Sequence, residues 1–170
     1  MQEDRVLSFP QAISMKRLDG GTWQTYRPRL LAFIQRYGEK RIARRTLVRL
    51  ATDEALAYDP EGGIWVAHAG GRVLGVLAVR RAGIVLSMIV VHPLYRRAGI
   101  GVKLLNEAVR TTKRLYARIS ADNTPSLRLA KSTGFIIIDR IVTRRGQTIV
   151  IVARGAWQKK EAKACAASVF

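Results

Sequence analysis

The hydrophobic pattern changes period several times along the chain. AISMKRLD (Ala12 to Asp19) alternates weakly and stops at Gly20-Gly21, which predicts a first strand and a break. Beyond it Trp23, Tyr26, Leu30, Phe33, Ile34 and Tyr37 recur at intervals of three and four. That spacing predicts a helix with Thr22 as its cap, Pro28 as a kink or delay and Gly38 as its stop. A second helix is expected from about Lys40 to Tyr58 on Ile42, Leu47, Leu50 and Leu56, ending before the Asp59-Pro60-Glu61-Gly62-Gly63 break.

The middle of the chain switches to runs of Val and Ile. GIWVAHAGGRVLGVLAVRRAGIVLSMIVVH contains three of them, separated at Gly70-Gly71 and Ala82-Gly83, and reads as an antiparallel meander. Then follow a helix over Ile100 to Lys113, a strand over Leu115 to Ser120, a helix over Thr124 to Thr133, and a strand pair, Phe135 to Val142 with Gln147 to Val152, around Arg144-Arg145-Gly146. The pattern describes one α/β domain, a mixed central β-sheet of about seven strands flanked by four helices. Its expected limits are residues 12–154, between an N-terminal extension (1–11) and a C-terminal tail (155–170) whose Ala and Lys content permits a short helix.

Composition narrows the class. The 170 residues, 48% of them hydrophobic, suit a single core. The one cysteine, Cys165, excludes an intrachain disulfide and a cysteine-ligated zinc site, so no metal ligand set is expected and a reducing, cytoplasmic compartment fits best. No stretch approaches the roughly 20 apolar residues of a membrane span, and a soluble protein is expected. Charge is the outlier: 30 Lys+Arg against 12 Asp+Glu give +18 and a pI near 11.3, a field that favours anionic partners.

The candidate chemistry begins at YRRAGIGVKLL, Tyr95 to Leu105. Gly99 and Gly101 let the backbone turn tightly, and the helix that follows leaves its first amide hydrogens unpaired at a positive dipole end, a place for phosphate. Arg96, Arg97 and Lys103 add charge. The segment is neither GxxxxGK[ST] nor GxGxxG. RRAGIG after IVVHPLY instead resembles the (Q/R)xxGx(G/A) acyl-CoA motif of the GNAT N-acetyltransferases. A second resemblance lies further on, where Asn123-Thr124-Pro125-Ser126-Leu127-Arg128-Leu129-Ala130-Lys131-Ser132-Thr133-Gly134-Phe135 parallels the family's NxxAxxLYxKxGF, and the element order agrees from about Ala12 to Arg154.

The resemblance implies a GNAT fold and an acyltransferase that takes acetyl-CoA. It implies that the backbone of Arg97, Ala98, Gly99, Ile100, Gly101 and Val102 binds the pyrophosphate, with Arg96 opening the motif and Lys103 assisting. Ile89 and Val91 would pair with the pantetheine amides from an edge strand that bulges and splays away from the strand at Leu115 to Ser120. Val91 would also supply the oxyanion donor. Asn123 matches a cofactor-side position, while its sequence suits a helix N-cap equally well. A homodimer is a further option the family implies.

One departure concerns the proton source. Ala130 stands where the family often has a tyrosine acid, leaving Ser126, Ser132 and Tyr95 as hydroxyl candidates. His92 and His68 titrate in a useful range, although His92 sits at a strand end before Pro93 and reads as a structural residue equally well. Glu54 and Glu61 are the acids expected near the acceptor side. The first helices and the last hairpin, which border the acceptor in the family, carry Arg41, Arg44, Arg45 and Arg49, then Arg144 and Arg145. Such a border disfavours a polyamine or aminoglycoside. It favours an amine on an anionic macromolecule, such as tRNA, DNA, ribosomal material or an acidic protein. The alternative is a nucleic-acid-binding relative or base modifier with little ordinary acetyltransferase activity.

Overall fold

The computed structural model describes residues 12–39, 42 and 44–168. Strand β1 (Ser14–Arg17) leads to α1 (Gly20–Tyr37) and α2 (Arg44–Thr52). Then come β2 (Gly63–Ala69), β3 (Arg72–Arg80), β4 (Leu86–Val91), α3 (Ile100–Thr112), β5 (Arg114–Ser120), α4 (Thr124–Ser132), β6 (Ile136–Val142), β7 (Thr148–Gly155) and α5 (Lys159–Ala167). The cap of α1 is Asp19 rather than Thr22: the Thr22 amide donates to Asp19 Oδ1 at 2.7 Å, and the helix begins at Gly20. Pro28 lies within α1 without ending it. The expected second helix is shorter, because Asp53 interrupts it and caps a separate 3₁₀ turn over Glu54–Tyr58.

The seven strands form two antiparallel sheets, ordered β1-β2-β3-β4 and β5-β7-β6. Strand alternation sends Trp65, Ala67, Leu77 and Val79 to a core under α3 and α4, and Ile64, Val66, Val76, Ala78, Met88 and Val90 to a second core under α1 and α2. Burial on both faces explains why β2 and β3 read as continuous apolar runs. Leu104 and Trp65 are at most 2% exposed, and each such side chain contributes about 1.5–3 kcal/mol of burial.

The segment read as a tail is instead a structural element. Ala162, Cys165 and Ala166 of α5 bury against Tyr116, Ile151 and Ala153. Glu161 accepts hydrogen bonds from Arg114 (2.6 and 2.7 Å) and from the Tyr116 hydroxyl (2.7 Å). Arg114 also reaches Glu61 at 2.7 Å. Burial, with the Glu161 hydrogen bond adding to it, pushes the Tyr116 phenol up to about 12.

Candidate active site

The two sheets are pinned at one end of β4. A Cβ on Gly83 would sit 1.9 Å from the Tyr116 carbonyl oxygen, so only glycine admits this approach, at φ +90°. Two residues on, Arg118 of β5 donates to the carbonyls of Ile84 (2.7 Å) and Val85 (3.3 Å). β5 therefore runs beside β4 in the same direction, yet no ladder joins them among the described residues. Between them lies a cleft of about 1600 Å³, lined by both strands, the start of α3, α4, α2 and the β6–β7 turn.

The open edge of β4 follows from its pairing with β3. His92 N–H donates to Leu74 at 2.8 Å, and the register pairs Val90 with Val76 and Met88 with Ala78. In an antiparallel ladder alternate residues turn their peptide groups to the partner, so those of Ser87, Ile89 and Val91 point away from β3 toward the cleft. The Val91 carbonyl accepts from Arg96 Nε at 3.4 Å on that side. The β3–β4 register runs unshifted from Gly75/Val91 to Arg80/Leu86, so the bulge implied for β4 is absent. The register shifts lie between β2 and β3 at Ala67/His68 and between β6 and β7 at Ile137/Asp139.

At the mouth, Gly99 precedes α3 in the left-handed region (φ 76°), with no side-chain cap and open space where a Cβ would be. Lys103 N–H donates to Gly99, Ala98 N–H to Tyr95 and Arg96 N–H to Pro93. Those three amides are therefore spent. The amides of Arg97, Gly99, Ile100, Gly101 and Val102 have no backbone partner among the described residues and converge on the start of the helix. Gly101 serves packing as well: a Cβ there would meet Leu129 Cδ2 at 3.0 Å, so its absence lets α3 approach α4.

The structure brings Ile89, Val91, Tyr95, Arg96, Arg97, Gly99, Ile100, Gly101, Val102, Asn123 and Ser126 onto the cleft wall. Asn123 is there as the cap of α4, its Oδ1 accepting from Ser126 N–H at 3.3 Å. Ala98, Lys103 and both histidines lie outside the lining, as does Ser132. His92 points to the α1 face, its ring 4.3 Å from Tyr37 and 5.3 Å from Tyr95, and its Nδ1 accepts from Leu94 N–H. Burial, then the charges of Arg36 and Arg72, hold it below the usual histidine range. Glu54 is paired with Arg27 at 2.8 Å and Glu61 with Arg114, both away from the cleft.

Arg45, Arg49, Arg144 and Arg145 line the cleft from α2 and the β6–β7 turn, while Arg44 lies beside them on α2's outer surface. Arg41 falls outside the described residues. Sequence reading missed Arg118 and Arg128, which bring the cleft's arginines to eight, and Glu39, the one acid in its lining. Their signal is visible only in retrospect, as polar positions on a strand and a helix that otherwise face cores.

The described amides, glycine turn and open strand edge fit an acyl-CoA: donors for a pyrophosphate at the mouth and a strand edge for an amide-bearing arm within. A family model for the acetyltransferase (GNAT) family matches residues 24–135. The chain belongs to that family and is an acetyl-CoA-dependent N-acetyltransferase in its general chemistry. No curated protein matches it by sequence. Among solved structures it is similar to the ribosomal-protein-S18-alanine N-acetyltransferase of Escherichia coli (TM-score 0.64, 18% identity, 86% of this chain and 96% of that one). It is also similar to yncA of Salmonella typhimurium, solved with its cofactor acetyl-CoA (0.58, 18%, 86% and 95%). A third is the spermidine N-acetyltransferase of Vibrio cholerae (0.59, 13%, 84% and 93%). At these identities the likeness is one of fold.

Proposed function

We propose that this acetyltransferase acts on an amine carried by an anionic molecule or scaffold. The observation that carries the reading is the cleft wall: eight arginines and Glu39 alone to oppose them. A polyamine or aminoglycoside entering it would meet repulsion at every wall. Acetyl-CoA supplies the acetyl thioester that the amine attacks. The free amides from Arg97 to Val102, apart from Ala98, hold its pyrophosphate, with Arg96 and Arg97 adding charge. Ile89 and Val91 hold the arm by their outward peptide groups, and Val91 N–H is the donor for charge growing on the acetyl oxygen.

Proton handling falls to few groups. Ser126 lies four residues before Ala130 on the same stripe of α4 and lines the cleft, which makes it the first choice to protonate the departing thiolate; Tyr95 is the second. With neither histidine in the lining, the acceptor amine sheds its proton to water, a step the arginine field favours because it disfavours an ammonium ion. The test is incubation with radiolabelled acetyl-CoA and separate pools of RNA, DNA, acidic protein and spermidine. Label is expected in an anionic pool and not in spermidine. Faster labelling of spermidine would overturn the reading, and acetyl-CoA binding with no labelling of any pool would favour a binding protein, the option that Ala130 keeps in view.

A further inference from the structure

Charge in this protein is segregated. Among the described residues every ion pair lies away from the cleft: Arg27 with Glu54, Arg80 with Asp53 and Asp59, Arg110 with Glu107, and Arg114 with Glu61 and Glu161. Among the described residues the cleft arginines have no such partners, and Arg49 and Arg118 spend part of their donors on the Val85 and Ile84 carbonyls. Arg96, Arg97 and Arg128 adjoin the α3 and α4 end of the cleft. That leaves two walls on the acceptor side, Arg45 and Arg49 on α2 and Arg144 and Arg145 on the β6–β7 turn, facing the same opening.

Resting on the anionic-acceptor reading, we propose that these two walls grip the phosphates of an unpaired nucleic-acid strand, with the acceptor nucleotide or its attached amine turned into the cleft between them. The chemistry of the rim selects this partner over an acidic protein. Protein interfaces are depleted of charge at their centre and anchored by aromatic side chains. Here the outer face of α2 presents Arg44, Arg45, Val48, Arg49 and Thr52, and the turn presents Thr143, Arg144, Arg145 and Gln147. Such polar, cationic surfaces are those of nucleic-acid interfaces. The open edge at Ile89 and Val91 lies inside the slot between strands, where an amine within a duplex has no access, so the strand is unpaired there.

The test uses the full chain and a fluorescent 12-nucleotide RNA, read by anisotropy between 50 and 200 mM KCl. Four phosphate contacts to a single strand give a log–log salt slope of about −2.8, a loss of about 50-fold over that range. Arg45→Ala/Arg49→Ala and Arg144→Ala/Arg145→Ala should each halve the slope, leaving a loss of about sevenfold. Lys159→Ala/Lys160→Ala removes the same charge from the exposed start of α5 and should leave the slope near wild type. Circular dichroism confirms the fold of each variant. An equal effect of the lysine pair, equally tight binding of polyglutamate, or tighter binding of the matching duplex would each overturn the proposal. Transfer from labelled acetyl-CoA separates the two readings. If the acidic-protein pool is labelled while RNA fails to bind, the walls alone fall; if spermidine is labelled faster than any anionic pool, the anionic-acceptor reading falls.

Discussion

Gly99→Leu separates the loop's two tasks, shaping the backbone and presenting amides. At φ 76° an L side chain costs about 1–2 kcal/mol, but its Cβ would meet no heavy atom within 4 Å. The folded protein therefore loses little beyond that strain, about 2–8 °C in Tm for a chain of this size. The amides of Gly99 itself and of Ile100 and Gly101 directly after it have no backbone partner among the described residues, so the leucine is expected to displace a bound phosphate from at least one donor. A charge-assisted hydrogen bond of about 1.5–3 kcal/mol is then lost, weakening acetyl-CoA by about 10- to 150-fold. Isothermal titration gives the affinity and a melting curve the stability. Gly99→Asn, which tolerates the left-handed region, should recover most of the melting temperature. If Gly99→Leu folds and binds acetyl-CoA within twofold of wild type, the amide cradle is not the pyrophosphate site.

Glu161→Gln should lower Tm by about 4–8 °C, from about 2 kcal/mol of weakened bonds to Arg114 and Tyr116, and speed hydrogen exchange in α5. Arg114 holds the Glu161 carboxyl below the usual range, so this stability is complete above about pH 4.5 and is lost as pH falls through the lower folded value; the glutamine variant should lack that decline. His92 acts at higher pH: its folded pKa is depressed, so the unfolded chain takes up the proton first and stability falls as pH drops below about 6.5. His92→Gln should flatten the melting profile between pH 7 and 5 without abolishing acetyl transfer, since the ring lies outside the cleft lining. Asn123→Ala should cost about 1 kcal/mol as a lost cap and leave acetyl-CoA affinity unchanged, because the oxygen it removes is already engaged with Ser126 N–H.

Much of the scaffold was legible because it rests on local rules. The periods of the β2–β4 runs, the positive-φ turn at Gly70-Gly71, the stop at Gly38 and the turn at Gly99 that opens α3 mark elements that form where the pattern places them. Errors arose where short range competes with long range. Asp19 and Thr22 are both good caps, and only the helix start at Gly20 chose between them. GAWQKKEAKACAASVF carries a small apolar stripe that looks too weak to bury until Tyr116, Ile151 and Ala153 are beside it. The turn ahead of α3 was readable because glycines announce its backbone geometry, and Arg45, Arg49, Arg144 and Arg145 followed from the family resemblance; Arg118 and Arg128 were not readable, because only the fold brings a strand and a helix remote from α2 to the same cleft.

By itself, the sequence determined the elements, the family resemblance, the glycine turn ahead of α3 and the surplus of positive charge, all properties of composition or of residues within a few positions of one another. Only the tertiary structure decided which charges are quenched. It paired Arg27, Arg80 and Arg114 with acids remote in the chain and left Arg45, Arg49, Arg144 and Arg145 around the opening. It also decided that β4 keeps an unpaired edge, because Gly83 and Arg118 pin β5 at one end and no ladder among the described residues joins the strands beyond. Pairing and separation of that kind depend on distances between residues remote in sequence, which no local pattern encodes.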